Sequence, residues 1–188
     1  VSEKSNISDF IKVCILDTET TGLDRTNDQI IELAFKIITI DSNTGSFLSC
    51  LHSFGSFNDI DSSLDSRITR LTGITEEMLK GQFIDWDEVD NALSNVNIII
   101  AHNSNFDRSF VDRYSKISKD KKWGCSVRDI DWKKRGYKRR RLEYLCNKHG
   151  FYYHSHRALD DVNALIYLLT YPKYNPDKPI KEIIQKIQ

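Results

Sequence analysis

The 188-residue sequence predicts an α/β domain: a mixed sheet of five strands flanked by helices. Three observations predict it. Up to Phe54 the chain alternates apolar, β-rich runs with turn clusters, the pattern of antiparallel strands. From Asp85 to Ala101 a helical period leads straight into a short apolar run, which reads as a crossover to a strand of the other sense. From Arg141 onward the apolar positions recur at helical spacing.

Residues 1–9 are polar and are expected to form a flexible N-terminus. Strand one runs from about Lys12 to Asp17, and the turn Thr20-Thr21-Gly22-Leu23-Asp24 leads to a second strand over Gln29 to Ile40. Asp41-Ser42-Asn43-Thr44-Gly45 is a cluster of turn formers, so Ser46 to Phe54 returns as a hairpin partner. Residues 55–74 read as loop. Thr75 is an N-cap before the first-turn acids Glu76 and Glu77 of a short helix. Trp86, Val89, Ala92 and Leu93 mark the next helix, and Asn97 to Ala101 the strand after it. A polar loop, His102 to Asn105, precedes a helix from about Phe106 to Tyr114. Trp123 to Val127 is an edge strand, Arg141 to His149 a helix stopped by Gly150, and Arg157 to Tyr171 the last long helix, ended before Pro172. Residues 10–171 thus form one domain, and residues 172–188 a tail with a short amphipathic helix.

Composition narrows the setting. Apolar residues make up 39% and charged residues 29%, and the apolar runs are too short to cross a bilayer, so no membrane span is expected. There is no basic-then-apolar leader, and the first residue is Val rather than Met, a hint of a longer parent chain. Cys14, Cys50, Cys125 and Cys146 form no CxxC pair, which fits free thiols in a cytoplasmic protein. The zero net charge conceals an asymmetry: residues 1–114 hold 9 Lys/Arg against 19 Asp/Glu, and residues 115–148 hold 13 against 4. An acidic body beside a basic strip suits a polyanion bound next to cations, although such a strip can also be a solvated face.

The acids are not all surface residues. Asp17 and Glu19 stand i, i+2 at the end of a buried strand and project to one face. At about 4 Å and an effective dielectric of about 20 their repulsion is roughly 4 kcal/mol, which invites a proton, a cation or a basic side chain between them. On a helical wheel Asp107 falls within the apolar face of Phe106, Phe110, Val111 and Tyr114, where it must be hydrogen-bonded, neutralised or metal-bound. Asp161 borders the apolar set of the last helix, whereas its neighbour Asp160 points away, and His156 lies just ahead of that helix. Four carboxylates favour Mg²⁺ or Mn²⁺ over zinc. Two such ions match phosphodiester cleavage, one lowering the pKa of a water and both stabilising the attacking and leaving oxygens, with a histidine as base.

Asp17-Thr18-Glu19-Thr20-Thr21-Gly22, Ala101-His102-Asn103-Ser104-Asn105-Phe106-Asp107 and His156-Arg157-Ala158-Leu159-Asp160-Asp161 resemble, in order and separation, the three motifs of the DEDDh exonucleases. That family includes the proofreading subunit of bacterial replicative polymerase, RNase T and oligoribonuclease. The resemblance implies an RNase H-like fold and 3′-to-5′ release of nucleoside 5′-monophosphates with two Mg²⁺ or Mn²⁺ ions. It implies that Asp17, Glu19 and Asp161 hold the ion that activates water, that Asp17 also reaches the second, that Asp107 acts partly through water and that His156 is the base. Thr20, Leu23 and Leu71, together with His102, Asn103 and Phe106 of the second motif, are implied contacts for the terminal nucleotide, Leu23 as a wedge against the last base or as simple packing of its turn.

Arg139, Arg140 and Arg141, preceded by Lys133, Lys134, Arg135 and Lys138 with Trp132 and Tyr137 interleaved, suggest a single-strand path of phosphate contacts and stacking aromatics. The nucleic acid is expected to be a single strand or a 3′ end, DNA slightly ahead of RNA. Rival readings are a non-enzymatic nucleic-acid-binding module, a proofreading domain that works with a polymerase, and a zinc site from Cys125, Cys146, His149 and His154. A homodimer is equally compatible with the sequence.

Overall fold

Turn chemistry and pleat explain how the sheet starts. The computed structural model describes residues 10–171 and 178–187. β1 (Phe10–Thr20) pairs antiparallel with β2 (Ile30–Asp41), and β2 pairs antiparallel with β3 (Phe47–Phe57). The β2–β3 turn is held by Asp41, whose Oδ1 accepts hydrogen bonds from the backbone of Asn43 and Thr44 and from the Thr44 hydroxyl. β4 (Ile98–Ala101) and β5 (Trp123–Cys125) add in parallel on the other side of β1, giving the order β3-β2-β1-β4-β5. The sheet is therefore mixed and five-stranded, with β1 at its centre.

The helices are α1 (Ser66–Thr72), α2 (Glu76–Leu79), α3 (Trp86–Ser94), α4 (Ser104–Val111), α5 (Ser126–Asp129), α6 (Leu142–Lys148), α7 (Ala158–Thr170) and α8 (Ile180–Ile187). They cover both faces of the sheet, so central strands are buried on each side. Along β1, Val13 and Ile15 face the core shared with Val162, Leu165 and Leu169 of α7. Cys14 and Leu16 face the core shared with Val89 and Leu93 of α3 and Phe110 and Val111 of α4. This alternation decides where the acids at the end of β1 point. Among the described residues, no helix is long and apolar enough to cross a membrane.

Several elements depart from the expected bounds. Residues 66–72, read as loop, form α1, because Asp65 caps Arg67 N and Gly73 ends the helix in the left-handed region at φ +73°. α4 begins at Ser104, two residues before the expected start. The edge strand stops at Cys125, whose amide donates to Asp129 Oδ2, and Ser126 onward coils into α5. The expected flexible start, residues 1–9, lies outside the described residues, as do residues 172–177 and 188 of the expected tail.

The remainder of that tail belongs to the body. Ile180 and Ile183 of α8 are fully buried in the same core as β1 and α7, and α8 packs on β5 and α5. The contact is possible because Gly124 has no side chain: a Cβ there would run into the Ile183 side chain and lie 3.1 Å from Ile100 and 3.2 Å from Ile187. Gly124→Ala is accordingly expected to destabilise the fold by about 1–3 kcal/mol, read as a lower urea midpoint with unchanged m-value. A stability equal to or above wild type would show that α8 adjusts freely.

Candidate active site

The pleat of β1 turns Asp17 and Glu19 to the side on which α7 packs. Asp161, in the first turn of α7, faces them, and one carboxylate oxygen from each of the three residues lies within 4.8 Å of the other two. Thr18 points to the opposite side, where its backbone N–H and hydroxyl donate to Asp107 Oδ1 at 3.1 and 3.0 Å. Asp107 on α4 is 3% exposed, so the two Thr18 bonds account for an aspartate on a core face. It borders the trio without joining it.

Burial and mutual repulsion push these carboxyls toward the protonated form. Asp17 is held well above the usual range, first by burial and then by Asp107, Asp161 and Glu19. Glu19 is pushed up to about 8 by burial and by Asp161 and Glu32, with Arg157 opposing. Asp107 rises to about 7 through burial, against the Thr18 hydrogen bonds. Asp161 is raised by burial, and the bonds it accepts from Tyr153 and His156 work the other way.

Three positioning contacts had not been read from the sequence. Glu32, directly opposite Glu19 on β2, accepts from Ala158 N at 3.0 Å and from the Arg157 guanidinium at 3.1 and 3.3 Å. It thereby tethers the start of α7 to the sheet and pairs with the Arg157 guanidinium. A glutamate inside the apolar run Ile30 to Ile38 was the available signal, since a buried charge demands a partner. Asp161 is gripped at both oxygens, by the Tyr153 hydroxyl at 2.8 Å and by the His156 backbone N–H at 2.8 Å. His156 adopts φ +69°, the only non-glycine residue with positive φ among those described, and that conformation aims its amide at Asp161. No sequence signal announces the Tyr153 contact, which depends on how the loop folds back.

A cleft of about 590 Å³ opens on this cluster, lined among others by Asp17, Asp161, His156, Tyr153, His102, Asn103, Arg140 and Arg141. The His156 side chain is exposed there. His102 Nδ1 lies 2.7 Å from Ser126 Oγ, its ring also bonds the Arg140 backbone, and burial pulls its pKa down to about 4, so it is a neutral strut between α5 and the arginine segment. Thr20, Leu23, Leu71, Phe106 and Arg139 are not among the residues lining the cleft. The Thr20 hydroxyl donates to Gly22 O at 2.6 Å, Phe106 packs on Phe110, and Leu23 and Leu71 are exposed.

The aromatics of the basic segment behave differently from the expectation of base stacking. Trp132 is 1% exposed with its indole N–H on Ser126 O at 2.6 Å, and Tyr137 lies edge-on to it with its hydroxyl 2.8 Å from His149 Nε2. The zinc alternative does not assemble. Cys146 lies against Ala164 O and His149 against Tyr137, and among the described residues Asp17, Glu19 and Asp161 are the only group of three potential ligands drawn together.

Comparison with known proteins agrees with this geometry. The model of the exonuclease family matches residues 14–169. DNA polymerase III PolC-type from Listeria monocytogenes serovar 1/2a is 32% identical over 166 residues, covering 82% of this chain and 11% of the polymerase. The PolC-type polymerase of Bacillus subtilis strain 168 is 32% identical over 172 residues, with the same coverage. The chain thus spans about 11% of the length of these curated relatives. Among solved structures, exonuclease X in complex with 5′ overhanging duplex DNA superposes with TM-score 0.60 at 20% identity, covering 90% of this chain and 99% of that one. E. coli exonuclease I in complex with a dT13 oligonucleotide superposes with TM-score 0.68 at 18% identity, covering 88% and 42%. These likenesses identify the fold as RNase H-like. From the family match over nearly the whole described body, the chain belongs to the exonuclease family and is of its DEDDh 3′-to-5′ type, as the three motifs imply.

Proposed function

We propose that the chain hydrolyses phosphodiester bonds from nucleic-acid 3′ ends, releasing nucleoside 5′-monophosphates, with DNA slightly preferred over RNA. The observation that carries this reading is the trio of mutually repelling carboxylates, two of which, Asp17 and Asp161, line a cleft whose wall also holds His156, Arg140 and Arg141. An all-oxygen donor set fits Mg²⁺ or Mn²⁺, and Asp17, Glu19 and Asp161 are the residues that would hold the ion, with Asp17 and Asp107 serving a second. When bound, the ions acidify the attacking water and stabilise charge on the attacking and leaving oxygens.

The protein's own groups do the rest. His156 takes the proton of the attacking water from its exposed position at the cleft edge. Tyr153 and the His156 amide keep Asp161 from rotating, and Glu32 keeps α7 in register with β1. Arg140 and Arg141, with Arg139 beyond them, receive the phosphates. His102 and Asn103, on the cleft wall, form one side of the terminal-nucleotide site, whereas Thr20, Leu23, Leu71 and Phe106, which do not line the cleft, are assigned to it by the family resemblance alone. The DNA preference is supported by the polymerase relatives and by the DNA held in the superposed exonucleases. The PolC likeness also favours a second reading, a proofreading domain acting beside a polymerase. Four free cysteines suit a cytoplasmic setting.

The direct test is digestion of 5′-labelled single-stranded DNA and RNA of equal sequence with Mg²⁺, Mn²⁺ or EDTA. A ladder shortening from the 3′ end, abolished by EDTA and by Asp17→Asn, is expected. His156→Ala should lower kcat about 10²–10⁴-fold while metal binding persists. A full-rate ladder from Asp17→Asn would refute the metal assignment.

Stability should report the same cluster. The folded protein keeps protons on Glu19 to about pH 8 and on Asp107 to about pH 7, whereas the unfolded chain releases them near 4.5 and 3.8. The unfolded state therefore binds fewer protons across this window, and metal-free stability falls as pH rises through it. Melting curves in EDTA should show Tm dropping between about pH 5 and 8, with a shallower slope for Asp17→Asn and recovery at pH 8 on adding Mn²⁺. A metal-free Tm that rises over this range would contradict the account.

A further inference from the structure

The basic segment contains cations that the fold has neutralised and cations that it has not. Arg135 Nη2 lies 2.6 Å from Glu182 Oε1 on α8. Lys133, Lys138 and Arg140 have no ion pair among the described residues. Those three line a second concavity of about 590 Å³. Its one acidic lining residue, Asp131, already accepts from Lys134 N through Oδ1. Arg140 lines both this concavity and the catalytic cleft, and its Nη1 is braced on Val127 O at 3.2 Å, so the two spaces share a wall.

The aromatic side chains here have no base to read. Trp132 is buried and its indole donor is spent on Ser126, while the Tyr137 hydroxyl is spent on His149. Trp132 and Tyr137 both line the concavity, but Trp132 is buried and the half-buried Tyr137 ring is packed against Trp132 and His149, so positive charge dominates what the concavity offers. Three cations against one carboxylate leave the concavity net positive, and such charge holds counterions that a phosphodiester backbone releases on binding. Stacking, the usual source of base preference on single-strand paths, has little ring surface to use, because the Tyr137 ring already packs on Trp132 and His149.

We infer that this concavity is a phosphate-only subsite for the strand upstream of the terminal nucleotide, entered past Arg140, and that its contribution is blind to base and sugar. The inference rests on the exonuclease reading. It makes substrate length, rather than DNA against RNA, the property that Lys133 and Lys138 govern.

The test compares a dinucleotide, which reaches only the catalytic cleft, with single strands of about 12 nucleotides in DNA and RNA form, using wild type and the double variant Lys133→Gln, Lys138→Gln. The ratio of kcat/KM for the long strand over the dinucleotide is expected to fall roughly tenfold in the variant, equally for both sugars. The log Kd against log salt slope should shrink by about 1.4, the share of two phosphate contacts. An unchanged ratio and slope would overturn the inference, and so would a loss confined to one sugar or one base. Binding of the long strands by fluorescence anisotropy in EDTA judges the subsite independently of turnover. If wild type cleaves nothing, the exonuclease reading fails, while a weaker, salt-flattened binding by the variant still supports the subsite and equal binding still refutes it.

Discussion

The repulsion among buried carboxylates is the constraint on which the rest of the structure depends. Asp17, Glu19 and Asp161 offer oxygens within 4.8 Å of each other, and Asp107 adds its field from the next element. Leaving such charges unshielded inside a protein costs far more than a surface ion pair returns. The fold nonetheless holds them together, because β1 is pinned on both edges and buried on both faces, and the burial of Val13 to Leu16 outweighs the strain at its end. Stability given up at this point is what a divalent cation would recover on binding.

Around that centre the geometry is kept by residues that do not join the trio. Glu32 is a fifth carboxylate within reach of the cluster's field, yet it is turned to α7, where it satisfies Ala158 N and Arg157. Both Asp161 oxygens have donors, one from Tyr153 and one from a His156 amide placed by a left-handed backbone. The strained residue and the proposed base are thus the same residue. The arrangement stores a local cost where an exposed histidine has to stand over the cleft.

The electrostatic plan is polar in the large sense. The acids converge at the end of the central strand, and Lys133, Lys138, Arg140 and Arg141 lie on the wall of the cleft and just beyond it. Trp132 and Tyr137 serve as the floor that keeps this segment folded, through Ser126 and His149. Structural aromatics beneath and free cations above give a surface that attracts a polyanion without selecting its bases.

Much of the fold and of the site could be read from the chain alone, for physical reasons that differ by element. Period two along Val13 to Glu19 put both acids on one face, and the helical wheel separated Asp161 from Asp160 and placed Asp107 against the core; these are local rules that the tertiary structure had only to respect. The turn at Asp41 to Gly45 was legible because aspartate and glycine carry that geometry in their own side chains or lack of one. Helix α1 was not legible, since its bounds come from the Asp65 cap and Gly73 with little apolar period between them. The packing of α8 depends on a missing Cβ at Gly124, far away in sequence. Residue types, spacing and period therefore determined the mixed sheet and the five candidate catalytic side chains. Tertiary structure alone decided that Tyr153 and Glu32 hold them in place and that Trp132 is buried, because those contacts join segments whose approach no local rule encodes.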